Sequence, residues 1–489
     1  EDLKKEWPAD IKGMTEIEGL GPKKVKKLIK RLDINSIEDL REVAEKGEVQ
    51  KLEGFDKKTE ERILNQIQAH KESRERMFLD KAHQIAEEII AYLKDNSPID
   101  KIDYMGSLRR MKETVGDIDI LVVSEKPKEV IDVFTKMEGI ERVNSKGETR
   151  SQIVLEEDNI HIDLRVVDKE SRAACLQYFT GSKEHNIETR KIAQRKGYKL
   201  NEYGIFEGGK KIDCEDEKEL YKKLGLKYIP PELRENRGEI EAAKKGELPD
   251  LIEVKDIKGD LQMHTTHSDG KKSIKDMRDA CEDRGYEFMA ITDHSKSSRI
   301  AKGMDEEELK KEWEEIDKIE GKGIKILKGV EVDILKNGDL DYANEILDKA
   351  DLVVASIHSN FKQSREKMTE RLVKALKNKN VNVLAHPTGR LIGKRDGYEY
   401  DFDKVCEVAK KNNVALEINA NPKRLDLNDS HILRAKEYGV RFSINTDAHS
   451  LSNLNFIKYG VGTARRGWLE KGNVINCWSL KKLKKFLGE

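Results

Sequence analysis

Five apolar runs in the second half of the chain each end on a histidine. They are Asp260-Leu261-Gln262-Met263-His264, Ile291-Thr292-Asp293-His294, Ala355-Ser356-Ile357-His358, Leu384-Ala385-His386 and Thr446-Asp447-Ala448-His449. Asp269 and Gly329-Val330-Glu331 lie between them, and strand-like stretches run over Ile324–Leu327, Leu352–Ala355, Val381–Leu384, Val414–Ile418 and Val440–Ile444. A strand, a polar end, a helix and then the next strand is the pattern of a β/α barrel, whose chemistry gathers at the C-terminal ends of its strands. Seven candidate strands can be counted, the seventh ending in Asp447 and His449. One histidine after an apolar run is ordinarily a satisfied core or surface side chain, but five at equivalent strand ends are not explained that way. Imidazole and carboxylate donors from many strands suit Zn²⁺, Mn²⁺ or Fe²⁺ clusters, and a glutamate flanked by histidines suits a two-metal hydrolase. His267 and His431 fall outside the pattern and read as ordinary histidines.

A second acidic constellation lies earlier. Gly116-Asp117-Ile118-Asp119-Ile120-Leu121-Val122-Val123 reads as a strand from its β-branched and apolar content. Alternation puts Asp117 and Asp119 on one face and Ile118 and Ile120 in the core. Two carboxylates at that spacing repel each other unless a cation lies between them, and oxygen ligands suit Mg²⁺. Ile160-His161-Ile162-Asp163-Leu164-Arg165-Val166 alternates in the same way and offers a third carboxylate. Asp117, Asp119 and Asp163 together would form a cluster able to hold two metals for in-line phosphoryl chemistry. Just upstream, in Gly106-Ser107-Leu108-Arg109-Arg110, Ser107 and Arg110 stand at a helix start and suit a phosphate. A lone Asp-x-Asp is usually a surface strand edge, but the whole set is far rarer.

The first 73 residues read as short charged helices with glycine turns. Glu18-Gly19-Leu20-Gly21-Pro22-Lys23-Lys24 combines a tight turn with proline at a helix start, so backbone N–H groups face outward where a phosphate can sit. Lys23, Lys24 and Lys27 on the next turns would add contacts that ignore base identity. A weaker copy, Leu52-Glu53-Gly54-Phe55-Asp56-Lys57-Lys58, has Asp56 where the second glycine would stand. This resembles a tandem helix-hairpin-helix, with Gly19, Gly21, Lys23, Lys24, Lys27 and Gly54 as DNA contacts; otherwise it is a solvated lysine face. The net charge of −1 gives no global basic field, so any nucleic-acid site is a local patch. The charged fraction of 38% against 6% aromatics describes lean cores under a heavily solvated surface. The five cysteines are scattered without CxxC spacing, which fits a reducing cytosol, and no apolar run is long enough to span a membrane.

The segment around the three aspartates resembles the family X DNA polymerases of the nucleotidyltransferase superfamily. Tyr178-Phe179-Thr180-Gly181-Ser182, Asn186, Arg190 and Asn201-Glu202-Tyr203 extend the match over residues 12–232. The resemblance implies that Asp117 and Asp119 bridge both metals and that Asp163 holds the one activating the primer 3′-hydroxyl. It also implies that Ser107, Arg110, Gly116, Tyr178, Gly181, Asn186 and Arg190 line the nucleotide site, with Arg165 and Glu202 behind it. Residues 256–489 resemble the polymerase and histidinol phosphatase (PHP) domain, a trinuclear phosphoesterase barrel. His264, Asp269, His294, Glu331, His358, His386, Asp447 and His449 match its ligands. Its usual opening His-x-His is here Gln262-Met263-His264, and an amide is a poorer ligand than imidazole. Asn419, Asn421 and Arg424 sit at a strand end suited to substrate phosphate.

The expected fold is multidomain α/β. It comprises a helix-hairpin-helix region (1–73), a nucleotidyltransferase palm (74–168), an α+β thumb (169–232), a linker or connecting helix (233–255) and a distorted (β/α)7 barrel (256–489). The expected function is gap-filling DNA synthesis in repair with Mg²⁺, joined to a 3′-5′ exonuclease or phosphoesterase using Mn²⁺ or Zn²⁺, up to three ions. The expected partners are gapped or primer-template DNA and deoxynucleoside triphosphates, for a cytoplasmic monomer with no membrane contact. Family members of this type usually carry a further N-terminal lyase domain, and the start at EDLKKEWPAD, without Met, reads as beginning after it or as a processed or trimmed chain. The competing readings are a phosphatase with a DNA-tethering N-terminal region and a non-enzymatic DNA-end scaffold.

Overall fold

The computed structural model describes residues 20, 22–32, 34, 37–52, 54–61, 63–64, 67, 76–319 and 323–488. The chain divides into two compact units, Glu1–Met77 and Phe78–Glu489.

In the first unit, helix α1 (Pro22–Leu32) is followed by α2 (Ile37–Glu45). Val25 and Leu28, one turn apart, are buried with Leu20, Leu40, Val49, Phe55 and Ile63. Lys26, Lys30 and Arg31 remain exposed, the last two in the final turn where cations favour the helix dipole. Gly54 has φ +88°, a left-handed turn that glycine adopts without strain. Gly19, Gly21 and the Lys23 side chain lie outside the described residues.

The second unit begins with helix α3 (Leu79–Asn96) and a five-stranded sheet. Its strands are β1 (Lys101–Tyr104), β2 (Ile118–Val123), β3 (Ile140–Lys146), β4 (Arg150–Leu155) and β5 (His161–Val167), in the order β1-β2-β5-β4-β3. The β2–β5 pair is parallel, and its register puts Asp119 directly opposite Asp163. Ile118, Ile120, Ile162 and Leu164 are fully buried, so the aliphatic positions anchor the register that aligns the carboxylates. Residues 172–212 add helices α4 (Arg172–Thr180) and α5 (Lys183–Arg195) and an antiparallel hairpin sheet. The segment 233–255 packs on this part. Arg234 and Glu239 are buried there, and Leu233, Ile240, Ala243 and Leu251 join the same apolar cluster as Leu220 and Tyr221.

Among the described residues, the C-terminal domain has seven parallel strands in sequential order. They are β6 (Gly259–Asp260), β7 (Phe288–Ile291), β8 (Lys325–Asp333), β9 (Leu352–Ser356), β10 (Val383–Leu384), β11 (Ala415–Asn419) and β12 (Phe442–Asn445). Alternation separates two cores. Met289, Ile291, Val330, Val353, Ile418 and Ile444 pack outward beneath the helices. Phe288, Ala290, Leu327, Leu352, Val354 and Ala415 share an interior cluster with Ile475, Trp478 and Leu483 from the C-terminal segment. The last strand returns to the first just past its end, where Ala448 bridges Met263 and the Asp447 amide donates to the Gln262 carbonyl at 3.1 Å. Strand β8 runs beyond the expected Ile324–Leu327 and carries Glu331 and Asp333 within it.

Candidate active sites

The first site is built where β2 and β5 run side by side. Ligand oxygens of Asp117, Asp119 and Asp163 lie within 4.8 Å of one another. Burial, then Asp117 and Asp163, push the Asp119 carboxyl up to about 7. Asp163 is bonded by Arg150 Nη2 to Oδ1 at 2.9 Å and by Gln152 Nε2 to Oδ2 at 2.7 Å, both from β4. Sequence reasoning missed Arg150 and Gln152, since neither stands in a motif; their alternation along one strand was the available signal.

Gly106 begins a single helical turn, Gly106–Arg109, with φ +62°. A Cβ there would meet Asp119 Oδ2 at 2.3 Å, so only glycine lets this turn approach the carboxylate so closely. Ser107 stands in that turn and Arg110 caps its C-terminal end. Arg109 forks onto Glu217, at 3.2 and 2.6 Å, and the same carboxylate accepts from buried Arg234 at 2.7 Å. Arg110 donates to the Thr180 carbonyl, and a Cβ at Gly181 would lie 3.2 Å from its Nη1. Asn186 Nδ2 donates to the Tyr178 carbonyl at 2.6 Å and its Oδ1 accepts from Gln177 at 2.9 Å, so its amide braces the 178–182 turn. Arg190 is exposed, with Nε on the Asn186 carbonyl at 3.3 Å. Gly116 leads directly into Asp117, and Arg165 lies over the Phe179 ring at 4.0 Å.

The second site lies at the strand ends of the barrel and centres on buried Glu331. Its Oε2 is 3.2 Å from His294 Nδ1 and 3.4 Å from His264 Nε2, while Oε1 is 3.1 Å from His386 Nε2 and 3.4 Å from His358 Nε2. His264 Nε2 also lies 3.1 Å from Asp447, and His449 Nε2 lies 3.2 Å from Asp269. Three groups bring ligand atoms within 4.8 Å: His264, Asp269, His294 and His449; His294, Glu331 and His358; and His264, Glu331 and Asp447. His386 stands outside those groups but touches the shared glutamate. Burial alone would raise the Glu331 carboxyl, but His294 and His358 outweigh it and hold it well below the usual range. Burial would lower His358, but Glu331 and Asp333 push it up to about 10. Burial likewise opposes the charge on His449, which Asp269 and Asp447 raise to about 9.

These carboxylates demand positive charge, and the donor set fits divalent metal ions. Buried His264 Nδ1 and His386 Nδ1 have no hydrogen-bond partner, a costly arrangement that metal ligation removes. Asp333 Oδ1 lies 2.8 Å from His358 Nδ1 and orients Nε2 towards Glu331. Asp333 was missed in the sequence, although its place two residues after Glu331 puts both on one strand face. Glu417, which accepts from the His386 amide at 2.7 Å, was missed as well. Arg424 Nε lies 3.9 Å from Asp447 Oδ2, and Asn419 Nδ2 donates to the same oxygen at 3.2 Å, whereas Asn421 Oδ1 accepts from the Lys423 amide. His267 pairs with Glu315 at 3.0 Å and His431 packs on Phe402, and among the described residues neither belongs to a metal-competent group.

Gln262 is fully buried, and neither its Oε1 nor its Nε2 has a hydrogen-bond partner. An amide oxygen binds Zn²⁺ and Mn²⁺ less strongly than imidazole. Gln262→His is therefore expected to raise metal content after identical dialysis and to lower the Mn²⁺ needed for half-maximal hydrolysis. Metal analysis and Mn²⁺ titrations check this; equal values for both proteins would show that the glutamine does not weaken the site.

The fold and the two clusters define a metal-dependent enzyme with a nucleotidyltransferase palm and a phosphoesterase barrel. The profile described as SAM-like helix-hairpin-helix tandem matches residues 11–69, DNA polymerase beta thumb matches 175–235, and PHP domain matches 260–421. Bacillus subtilis (strain 168) DNA polymerase/3′-5′ exonuclease PolX is 44% identical over 492 aligned residues, covering 100% of this chain and 86% of that protein. A Thermoanaerobacter sp. (strain X514) protein named "Probable phosphatase" is 32% identical over 183 residues, 35% of this chain and 71% of its own. Among solved structures, the Leishmania infantum polymerase beta ternary P/T complex aligns with 45% of this chain and 96% of its own, at 19% identity and a TM-score of 0.32. The chain belongs to the family X DNA polymerases that carry a PHP domain, the DNA polymerase/3′-5′ exonucleases. Among the described residues, no helix is long and apolar enough to cross a membrane.

Proposed function

We propose that this chain fills short gaps in DNA during repair, adding nucleotides at the Asp117/Asp119/Asp163 cluster and removing them from 3′ ends at the Glu331-centred cluster. The observation that carries the first half is the register setting Asp119 opposite Asp163, with Asp117 beside them. An oxygen-only donor set suits Mg²⁺, and the imidazole–carboxylate set suits Mn²⁺ or Zn²⁺. Bound there, such ions neutralise charge on phosphate oxygens and lower the pKa of a bound hydroxyl or water. Ser107 and Arg110 grip the triphosphate of the incoming nucleotide. Tyr178, held through the Asn186 bond to its carbonyl, borders the sugar, and Gly181 lets the turn close on Arg110. In the barrel, Glu331 gathers four imidazoles around one carboxylate, Asp333 sets the orientation of His358, and Arg424 with Asn419 receives the phosphate beside Asp447.

Primer extension on gapped DNA, in Mg²⁺ and then Mn²⁺, tests the first activity; shortening of a 5′-labelled strand from its 3′ end without nucleotides tests the second. Absence of extension in either metal would overturn the polymerase reading. The phosphatase-named relative matches about a third of the chain, and a tethering N-terminal region gives no reason for three clustered carboxylates.

The basic hairpin carries its own prediction. Lys24 and Lys27 are half-exposed on α1, and Lys23 precedes them. If these three meet phosphates, replacing all with alanine reduces the slope of log affinity against log salt by about 2–3, at ~0.9 per lost contact. An unchanged slope in filter-binding or anisotropy titrations would reduce the patch to a solvated face.

A further inference from the structure

A buried arginine of the barrel reaches to the nucleotidyl-transfer site. Arg466 ends the helix Ile457–Arg466, which follows β12, and its side chain is 3% exposed. Nη1 donates to the Arg110 carbonyl at 2.8 Å and to Glu235 Oε1 at 2.9 Å, and Nη2 donates to Asp429 at 2.6 Å. The same Glu235 Oε1 accepts from Arg110 Nε at 3.0 Å. Burial would raise the Glu235 carboxyl, but Arg466, Arg110 and Lys112 outweigh it and hold it low. Next to this pair, Met111 fits against Gly462 of the same helix, where a Cβ would clash at 2.4 Å.

One carboxylate oxygen is thus shared by two guanidiniums of opposite origin, one from the palm and one from the barrel. A triphosphate that takes Arg110 must first displace Glu235 from it. If Arg110 were the sole partner, that exchange would strand a largely buried anion, which is strongly unfavourable. Arg466 keeps Glu235 neutralised whether or not Arg110 is bound to it. Its bond to the Arg110 carbonyl also fixes the backbone from which that side chain swings. We propose that Arg466 is a positioning residue for nucleotide addition: it holds Glu235 as a counterion that can release Arg110 to the incoming triphosphate. The inference rests on reading the three-aspartate cluster as the polymerase site.

The test is gap filling by the full chain at varied nucleotide concentration. Arg466→Met is expected to raise KM for nucleotide about tenfold, with a smaller change in kcat, because Glu235 then pairs with Arg110 alone. Glu235→Gln removes the competing anion and is expected to lower KM by about threefold. The double variant Arg466→Met/Glu235→Gln should bring KM back to or below the parent value, towards that of Glu235→Gln alone, a rescue that lost packing alone would not produce. Arg466→Lys, which keeps the charge, should fall between the parent and Arg466→Met. Should Arg466→Met fail to fold, Glu235→Gln and Arg466→Lys still decide the matter. An unchanged KM in Arg466→Met, a raised KM in Glu235→Gln, or no rescue in the double variant overturns the relay. A parent protein that does not extend primers overturns the polymerase reading, and the relay with it.

Discussion

Asp119→Ala is expected to abolish nucleotide addition, by about a thousandfold or more, while 3′-end hydrolysis stays within about twofold of the parent. Asp119 faces Asp163 across the parallel strand pair and lies beside Asp117, so its removal takes one ligand from the centre of the cluster. Among the described residues, the barrel's histidine and carboxylate groups share no member with the Asp117/Asp119/Asp163 group. The change should not unfold the palm: it deletes a carboxylate that burial and two like charges already disfavour. The pH dependence follows from the same feature. Without metal the Asp119 carboxyl is pushed up to about 7, so below that pH a cation must displace its proton. Metal affinity at this site should therefore rise with pH up to about 7 and level off above it. Calorimetric titration in buffers of different ionisation enthalpy should show close to one proton released per cation bound at pH 6 and little at pH 8. Proton release that is independent of pH, or that survives in Asp119→Ala, would assign the titration elsewhere. Loss of both activities in a variant with unchanged circular dichroism would overturn the separation of the sites.

Glu331→Gln is expected to produce the opposite phenotype: hydrolysis falls by about a hundredfold or more, metal content drops, and primer extension persists. Glu331 is buried with four imidazoles around its two oxygens, and it belongs to two of the three metal-competent groups. The amide is isosteric, so the barrel keeps its packing, but one negative charge is gone. The attraction that holds a proton on His358 up to about 10 weakens as well, so that imidazole should titrate at lower pH in the metal-free variant. Metal analysis after dialysis and histidine titration by NMR read this without reference to activity. Asp447→Ala should behave similarly, through the group it shares with His264 and Glu331. Full metal content in Glu331→Gln would mean that this glutamate does not bridge the ions.

Much of both clusters could be read from residue order because local rules set it. Alternation with a period of two turns Asp119 away from Ile118 and Ile120, which enter the core, and Asp117 falls in the bend just before that strand. Likewise, a histidine just past an apolar strand must lie at a strand end, and sequential parallel strands bring all such ends to one rim. What residue order did not show are pairings between distant residues with ordinary local surroundings. Arg150 and Gln152 bond Asp163 because β4 runs antiparallel beside β5, a neighbour relation set by the order of strands in the sheet. The segment 233–255 reads as polar, yet Arg234 and Glu239 are buried because Glu217 and His185 lie waiting in the thumb.

The sequence by itself determined that carboxylates stand at the start of one strand and on the face of another, and that five histidines stand at strand ends, since strand periodicity and strand-end position are properties of a few consecutive residues. Only the tertiary structure decided which four imidazoles would surround Glu331, and that Arg466 of the barrel would share Glu235 with Arg110 of the palm. Such contacts depend on how whole sheets and helices pack, where shape complementarity and the burial of paired charge act over hundreds of residues of chain and leave no local pattern to read.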